Sequence, residues 1–141
     1  MASEKTFQLE ILTLQKSCLQ VPVKFVIAPG QEGVFEILPG HAPFVFALKP
    51  GVVRLSLADN QNQYLAVGGG FLVVQPDQTT ILARSAERPD EIDSARATRA
   101  KERAAMRLAN KTGVIDEPRA AAAFQRALAR LKVASYLQLA T

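Results

Sequence analysis

From Phe7 to about residue 85 the apolar positions come in short runs rich in Val, Ile, Leu and Phe, with turn residues between them. Phe7, Leu9 and Ile11 alternate with Gln8, Glu10 and Leu12, and the runs Val23–Ile27, Val52–Leu57, Tyr64–Val67, Phe71–Val74 and Thr80–Ala83 follow. Asp59-Asn60-Gln61-Asn62 and Gln75-Pro76-Asp77-Gln78 fall between runs as hairpin joints, since Asn, Asp and Pro favour turns. Short alternating strands at this spacing predict an N-terminal antiparallel β-sandwich over residues 1–86.

From Pro89 the vocabulary changes to Ala, Arg, Glu, Lys and Leu, all good helix formers, so residues 87–141 are predicted to form a C-terminal antiparallel two-helix hairpin. The first helix is expected from about Asp90 to Leu108, with Asp90, Glu91 and Asp93 at the positive end of its dipole and Asn110-Lys111-Thr112-Gly113 as its stop. The second is expected to start at an Asp116 N-cap and end near Leu137. Pro118 is harmless in its first turn, where the missing amide has no intrahelical partner. Ala97, Ala100, Ala104 and Leu108 form the apolar stripe of the first helix, and Ala120, Phe124, Ala127, Leu128, Leu131 and Ala134 that of the second. Alanines bring helices close but bury little area. At roughly 25 cal/mol per Å² such a hairpin is weakly packed and able to detach.

Composition adds bounds. The 141 residues suffice for one ordinary domain or a small domain with an appendage, and 48% hydrophobic with 21% charged residues is a globular balance. No apolar run approaches the ~18 residues of a membrane-spanning helix. Met1–Leu12 lacks a basic segment followed by an apolar stretch, so no secretory signal is expected and the chain is expected to stay where it is made. Cys18 is the one cysteine, which excludes an internal disulfide and a thiolate-cluster metal site. The net charge of +4 is unevenly placed: residues 1–83 hold 5 Lys/Arg against 6 Asp/Glu, whereas residues 84–141 hold 12 against 7.

The candidate chemistry is correspondingly narrow. Gly68-Gly69-Gly70 is not followed by Gly-Lys-Ser/Thr or by a helical pattern, so it reads as a bulge or a close approach within a strand rather than a phosphate loop. His41, the only histidine, lies in the Pro/Gly turn Leu38–Pro43 and reads as structural or interfacial, which leaves no triad base and no set of zinc ligands. Asp93, Arg96, Arg99 and Arg103 on the first helix, and Arg119, Arg126 and Arg130 on the second, can each lie largely along one face. Such rows are either solvated faces with local ion pairs or a grip for a polyphosphate or an acidic protein surface, since guanidinium binds phosphate oxygens in pairs. Nucleic acid is disfavoured: the aromatic among the arginines, Phe124, belongs to the apolar stripe and cannot stack on bases.

Three motifs, in order, carry a resemblance over essentially the whole length: Ile37-Leu38-Pro39-Gly40-His41-Ala42-Pro43, Leu48-Lys49-Pro50-Gly51, and Gly68-Gly69-Gly70-Phe71-Leu72-Val73-Val74-Gln75-Pro76. The chain resembles the epsilon-subunit family of bacterial F-type ATP synthases. The resemblance implies a noncatalytic central-stalk subunit whose β domain binds the gamma subunit and the c-subunit ring. Its helical hairpin would extend toward the alpha and beta subunits and inhibit ATP hydrolysis. It also implies a peripheral place on the cytoplasmic side of the bacterial inner membrane, with no membrane span of its own and no required cofactor. Glu36 and Val73 depart from the family, which commonly has glycine at the former position and often an acidic residue at the latter.

Some members of that family bind regulatory ATP in the hairpin through an I-D-x-x-R-A motif, which Ile92-Asp93-Ser94-Ala95-Arg96-Ala97 matches. By that resemblance the ATP contacts would be Glu87, Ile92, Asp93, Arg96, Ala97, Arg103, Arg126 and Arg130. Ile115-Asp116-Glu117-Pro118-Arg119-Ala120 is a second, similar run. The competing expectation is a free-standing binding module whose basic helical tail takes an acidic protein or nucleic acid.

Overall fold

The computed structural model of the chain describes residues 5–110 and 116–139. Seven strands come first: β1 Phe7–Leu12, β2 Ser17–Gly30, β3 Gly33–Ile37, β4 Phe44–Leu57, β5 Asn62–Val74, β6 Gln78–Ala83 and β7 Ala86–Glu87. A 3₁₀ turn at Pro89–Glu91 leads into two helices, α1 Ser94–Ala109 and α2 Glu117–Leu139. The architecture is the predicted one, a β-sandwich followed by a two-helix hairpin.

The strands pair in the order β1-β6-β5-β4-β2-β3, and β1 also pairs with β2, so the sheet curls round and closes on itself. All these pairings are antiparallel except β1 with β6, which run parallel with Ile11 opposite Ile81. That parallel pair corrects the fully antiparallel expectation. It arises because β1 closes the sandwich by bridging β2 and β6, and closure removes two otherwise unpaired edges. The core between the layers is made of fully buried aliphatic residues, among them Leu9, Ile11, Val23, Val26, Leu55, Leu65, Leu72 and Ile81.

β5 serves two parts of the sheet. Its first half pairs with β7 through Ala66 and Val67, and its second half with β6 from Gly70 to Val74. The two halves meet at the triple glycine, where Gly69 and Gly70 have φ of +95° and +139°. A Cβ on Gly70 would run into the Leu82 carbonyl oxygen, so the bend requires glycine for space as well as conformation. The structural reading of the three glycines therefore holds.

The hairpin begins later than expected. Asp90 and Glu91 lie in the 3₁₀ turn rather than in the first helix, and α1 starts at Ser94 with Asp93 as N-cap, its carboxylate accepting the Arg96 amide at 3.1 Å. The reason is local: Glu91 is occupied in accepting the Arg88 amide at 3.1 Å, and Ile92 is extended, so the helix cannot propagate back through them. In α2 the expected cap is present, Asp116 accepting the Arg119 amide at 3.1 Å with Pro118 in the first turn. The predicted stop at Lys111-Thr112-Gly113, and Ile115 of the second motif run, lie outside the described residues.

α2 is the middle layer between α1 and the sandwich. Ala120 and Ala127, seven residues apart, share one face with the α1 contact, where Ala97 and Ala104 are buried. Ala129 and Val133 lie on nearly the opposite face and pack on Ala66 of β5. That second face was absent from the predicted stripe, because two residues among arginines and leucines make no visible period.

Candidate functional site

The junction between hairpin and sandwich is where the charged residues of the two parts meet. Its apolar floor is Ala66, Ala129 and Val133, edged by Val52, Tyr64 and Ile92. The rings of Tyr64 on β5 and Tyr136 on α2 stack with centroids 3.7 Å apart and planes 12° from parallel. Beside this floor Arg130 Nε donates to Glu87 Oε1 at 2.6 Å, with the two side chains 31% and 26% exposed. Glu87 is the last residue of β7, so the ion pair ties α2 to the end of the sandwich.

The residues singled out from the sequence divide into two groups. Glu87, Ile92, Arg126 and Arg130 are brought to the junction: the first and last pair with each other, Ile92 packs on the apolar floor, and Arg126 lies half-buried against the β5 bend. Asp93 and Ala97 serve α1 itself, one as its cap and the other buried in its packing face. Arg96 and Arg103 are exposed, seven residues apart on one side of α1. Arg99 and Arg119 are exposed as well. The cleft at the β5 bend is lined by Arg126 but not by Arg96, Arg103 or Arg130.

Reading the sequence missed the tyrosine pair, Val52, Ala66, Ala129 and Val133 as junction residues. Tyr64 and Tyr136 are the only tyrosines of the chain, which was an available signal, but nothing along the chain relates two residues so far apart. Nor did it single out Arg84, which shares a cleft with Arg126 and the Gly68–Gly70 bend.

On β3 and β4 Phe35 and Phe46 stack with centroids 4.2 Å apart, and Phe44 packs on Phe46 at 4.6 Å. Val34, Leu38, Phe44 and Val45 are more than half exposed there. His41 bonds the neighbouring Ala42 carbonyl through Nδ1 at 2.7 Å and meets Phe46 edge-on, so it braces the Leu38–Pro43 turn. Among the described residues no group of three or more His, Cys, Asp or Glu is placed to hold a metal ion, and no helix is long and apolar enough to cross a membrane.

Two family models divide the chain close to the junction. Residues 6–89 match the β-sandwich domain of the ATP synthase delta/epsilon chain, and residues 90–135 match its long α-helix domain. The chain belongs to the ATP synthase delta/epsilon family. The ATP synthase epsilon chain of Syntrophobacter fumaroxidans is 49% identical over 127 residues, which cover 90% of this chain and 94% of that one. The epsilon chain of Bacillus velezensis is 45% identical over 130 residues, covering 92% and 98%. A chain in the cryo-EM structure of the Euglena gracilis mitochondrial ATP synthase shares the fold, with a TM-score of 0.68 at 23% identity over 96% of this chain and 81% of that one. Another, from the central stalk and c-ring of the Tetrahymena thermophila mitochondrial enzyme, has a TM-score of 0.56 at 14% identity. Like the epsilon chains it matches, this family member is a non-catalytic subunit of the synthase, which agrees with a sequence that holds neither triad nor zinc set.

Proposed function

We propose that the chain is the epsilon subunit of a central rotor stalk, with the sandwich as its fixed docking unit and the hairpin as a two-state regulator of ATP hydrolysis. The sandwich would bind the gamma subunit and the c-subunit ring, on the cytoplasmic face of a bacterial inner membrane, and so take part in coupling ion translocation to ATP synthesis. In the docked state the hairpin lies on the sandwich. Extended, its arginines reach acidic surfaces of the alpha and beta subunits and slow hydrolysis. The family match and the epsilon-chain relatives support the stalk role.

The observation that carries the regulatory part is the thinness of the junction. A small apolar floor of Ala66, Ala129 and Val133 edged by Val52 and Ile92, one tyrosine stack and one partly exposed ion pair are prominent among the contacts of α2 with the sandwich. An aromatic pair contributes about 0.5–1.5 kcal/mol beyond its area, and an ion pair of this exposure about 0–1 kcal/mol. ATP held by Arg96, Arg103, Arg126 and Arg130 of the folded hairpin would shift the balance toward docking, since a ligand acts only through its differential affinity for two states. At 100 times its dissociation constant it contributes about 2.7 kcal/mol, at least as much as the tyrosine stack and the ion pair together.

Two measurements test this. Removing residues 88–141 in the whole synthase should raise ATP hydrolysis while synthesis stays coupled; unchanged hydrolysis would sink the regulatory reading. In the isolated chain Arg96→Ala should weaken ATP binding, and equal affinity for variant and wild type in calorimetry would remove the nucleotide while leaving the stalk role.

A further inference from the structure

The cleft between the β5 bend and α2 has a volume of about 260 Å³ and is lined by Gln31, Pro50, Gly68, Gly69, Arg84 and Arg126, among others. Arg84 comes from the sandwich, between β6 and β7, and Arg126 from the hairpin. Neither guanidinium has a hydrogen-bond or ion-pair partner among the described residues. Among the described residues no carboxylate lines the cleft, and Glu87 at the end of β7 is paired with Arg130 at 2.6 Å. From Arg119 to Lys132 the helix carries four basic residues and no acidic one.

Ser85 Oγ takes up the space that a Cβ on Gly68 would need. The Cδ of Arg126 lies 3.5 Å from where a Cβ on Gly68 would be, so its stem crosses the glycine while its head stays in the cleft. Two uncompensated, planar cations facing one small cleft call for an oxyanion that accepts several hydrogen bonds at once. A phosphate group offers such a pair of guanidiniums several acceptor oxygens at once.

We propose that the cleft is a phosphate-group site shared by Arg84 of the sandwich and Arg126 of the hairpin. It goes beyond the nucleotide reading, with which it has only Arg126 in common, and Glu87, Asp93, Arg96, Arg103 and Arg130 do not line it. Its occupant is either free orthophosphate or the terminal phosphoryl group of a nucleotide. Because the two arginines belong to different units, the bound group contacts both only when the hairpin is docked. It therefore fastens the hairpin to the sandwich.

The test is calorimetry on the full chain at constant ionic strength, titrating orthophosphate and ATP separately into wild type, Arg84→Ala, Arg84→Lys and Arg99→Ala. Arg84 is exposed, and the near-ultraviolet signal of the stacked tyrosines verifies that docking survives the substitution. Saturable orthophosphate binding that falls at least about tenfold in Arg84→Ala, partly returns in Arg84→Lys and changes less than about twofold in Arg99→Ala is the expected result. If ATP falls in parallel, or alone, its terminal phosphoryl is the occupant; if ATP is unaffected or does not bind, orthophosphate is. Orthophosphate binding that ignores Arg84→Ala, equal losses in Arg84→Ala and Arg99→Ala, or no orthophosphate binding with ATP indifferent to Arg84 would each overturn the site. ATP affinity lost in Arg96→Ala but kept in Arg84→Ala, with no orthophosphate binding in any variant, would overturn this cleft and leave the nucleotide reading standing.

Discussion

The sandwich and the hairpin bury different kinds of side chain, and that difference sets what each can do. Leu9, Ile11, Val26, Leu55, Leu65, Leu72 and Ile81 are all fully buried in the sandwich, whose strands are tied into a closed sheet. The hairpin buries Ala97, Ala104, Ala120, Ala127, Ala129 and Val133. A fully buried Leu or Ile contributes about 1.5–3 kcal/mol, whereas alanine has a single methyl to remove from water. One part is held together by large aliphatic side chains, the other mostly by single methyl groups. The closed sheet also means that releasing α2 exposes a small apolar floor and no unpaired strand of the sandwich's main ladder.

The largest expected effect comes from cutting into the first part. Leu72→Ala should lower the stability of the whole sandwich by about 2–5 kcal/mol in urea unfolding, because the closed layers cannot collapse onto the space it leaves. A loss under about 1 kcal/mol would show that the sandwich is no more tightly packed than the hairpin.

Val133→Asp is the corresponding cut in the second part. A carboxylate on the buried floor is intolerable while docked, but the hairpin escapes by undocking, so the cost is capped at the few kcal/mol that docking supplies. Amide hydrogen exchange should therefore accelerate in α2 by at least about tenfold, while β5 amides and the urea midpoint of the sandwich stay put. Accelerated exchange in both parts would mean that they unfold as one unit.

The smallest effect is assigned to Glu87→Gln. The pair it breaks is a quarter to a third exposed, so about 0–1 kcal/mol of docking is at stake and exchange in α2 should rise less than about fivefold. A change as large as that of Val133→Asp would make the ion pair, not the apolar floor, the principal fastening.

Periodicity located most of this. The runs at Phe7–Ile11, Val52–Leu57 and Thr80–Ala83 lie within β1, β4 and β6, and both predicted joints, at Asp59–Asn62 and Gln75–Gln78, separate paired strands. β3 was not predicted: Val34, Phe35 and Ile37 form a run of five with Gly33 and Glu36, and its strand character comes from pairing with β2 rather than from its own pattern. Of the residues expected at a nucleotide, Asp93 declared a cap and Ala97 a packing position, because caps and stripes are local features. Glu87 with Arg130 depends instead on two elements 43 residues apart meeting at one edge.

What the chain by itself determined is everything that repeats within a few residues: strands of period two, helices of period three to four, the change near residue 85, and the crowding of positive charge beyond it. Tertiary structure decided which of those charges face each other. It set Arg130 on Glu87, left Arg84 and Arg126 facing one cleft without a carboxylate, and gave α2 a second buried face against Ala66. The physical reason is that a helix or strand is stabilised by hydrogen bonds and spacing within itself, whereas an ion pair or a cleft exists only once distant segments have been packed to within a few ångströms.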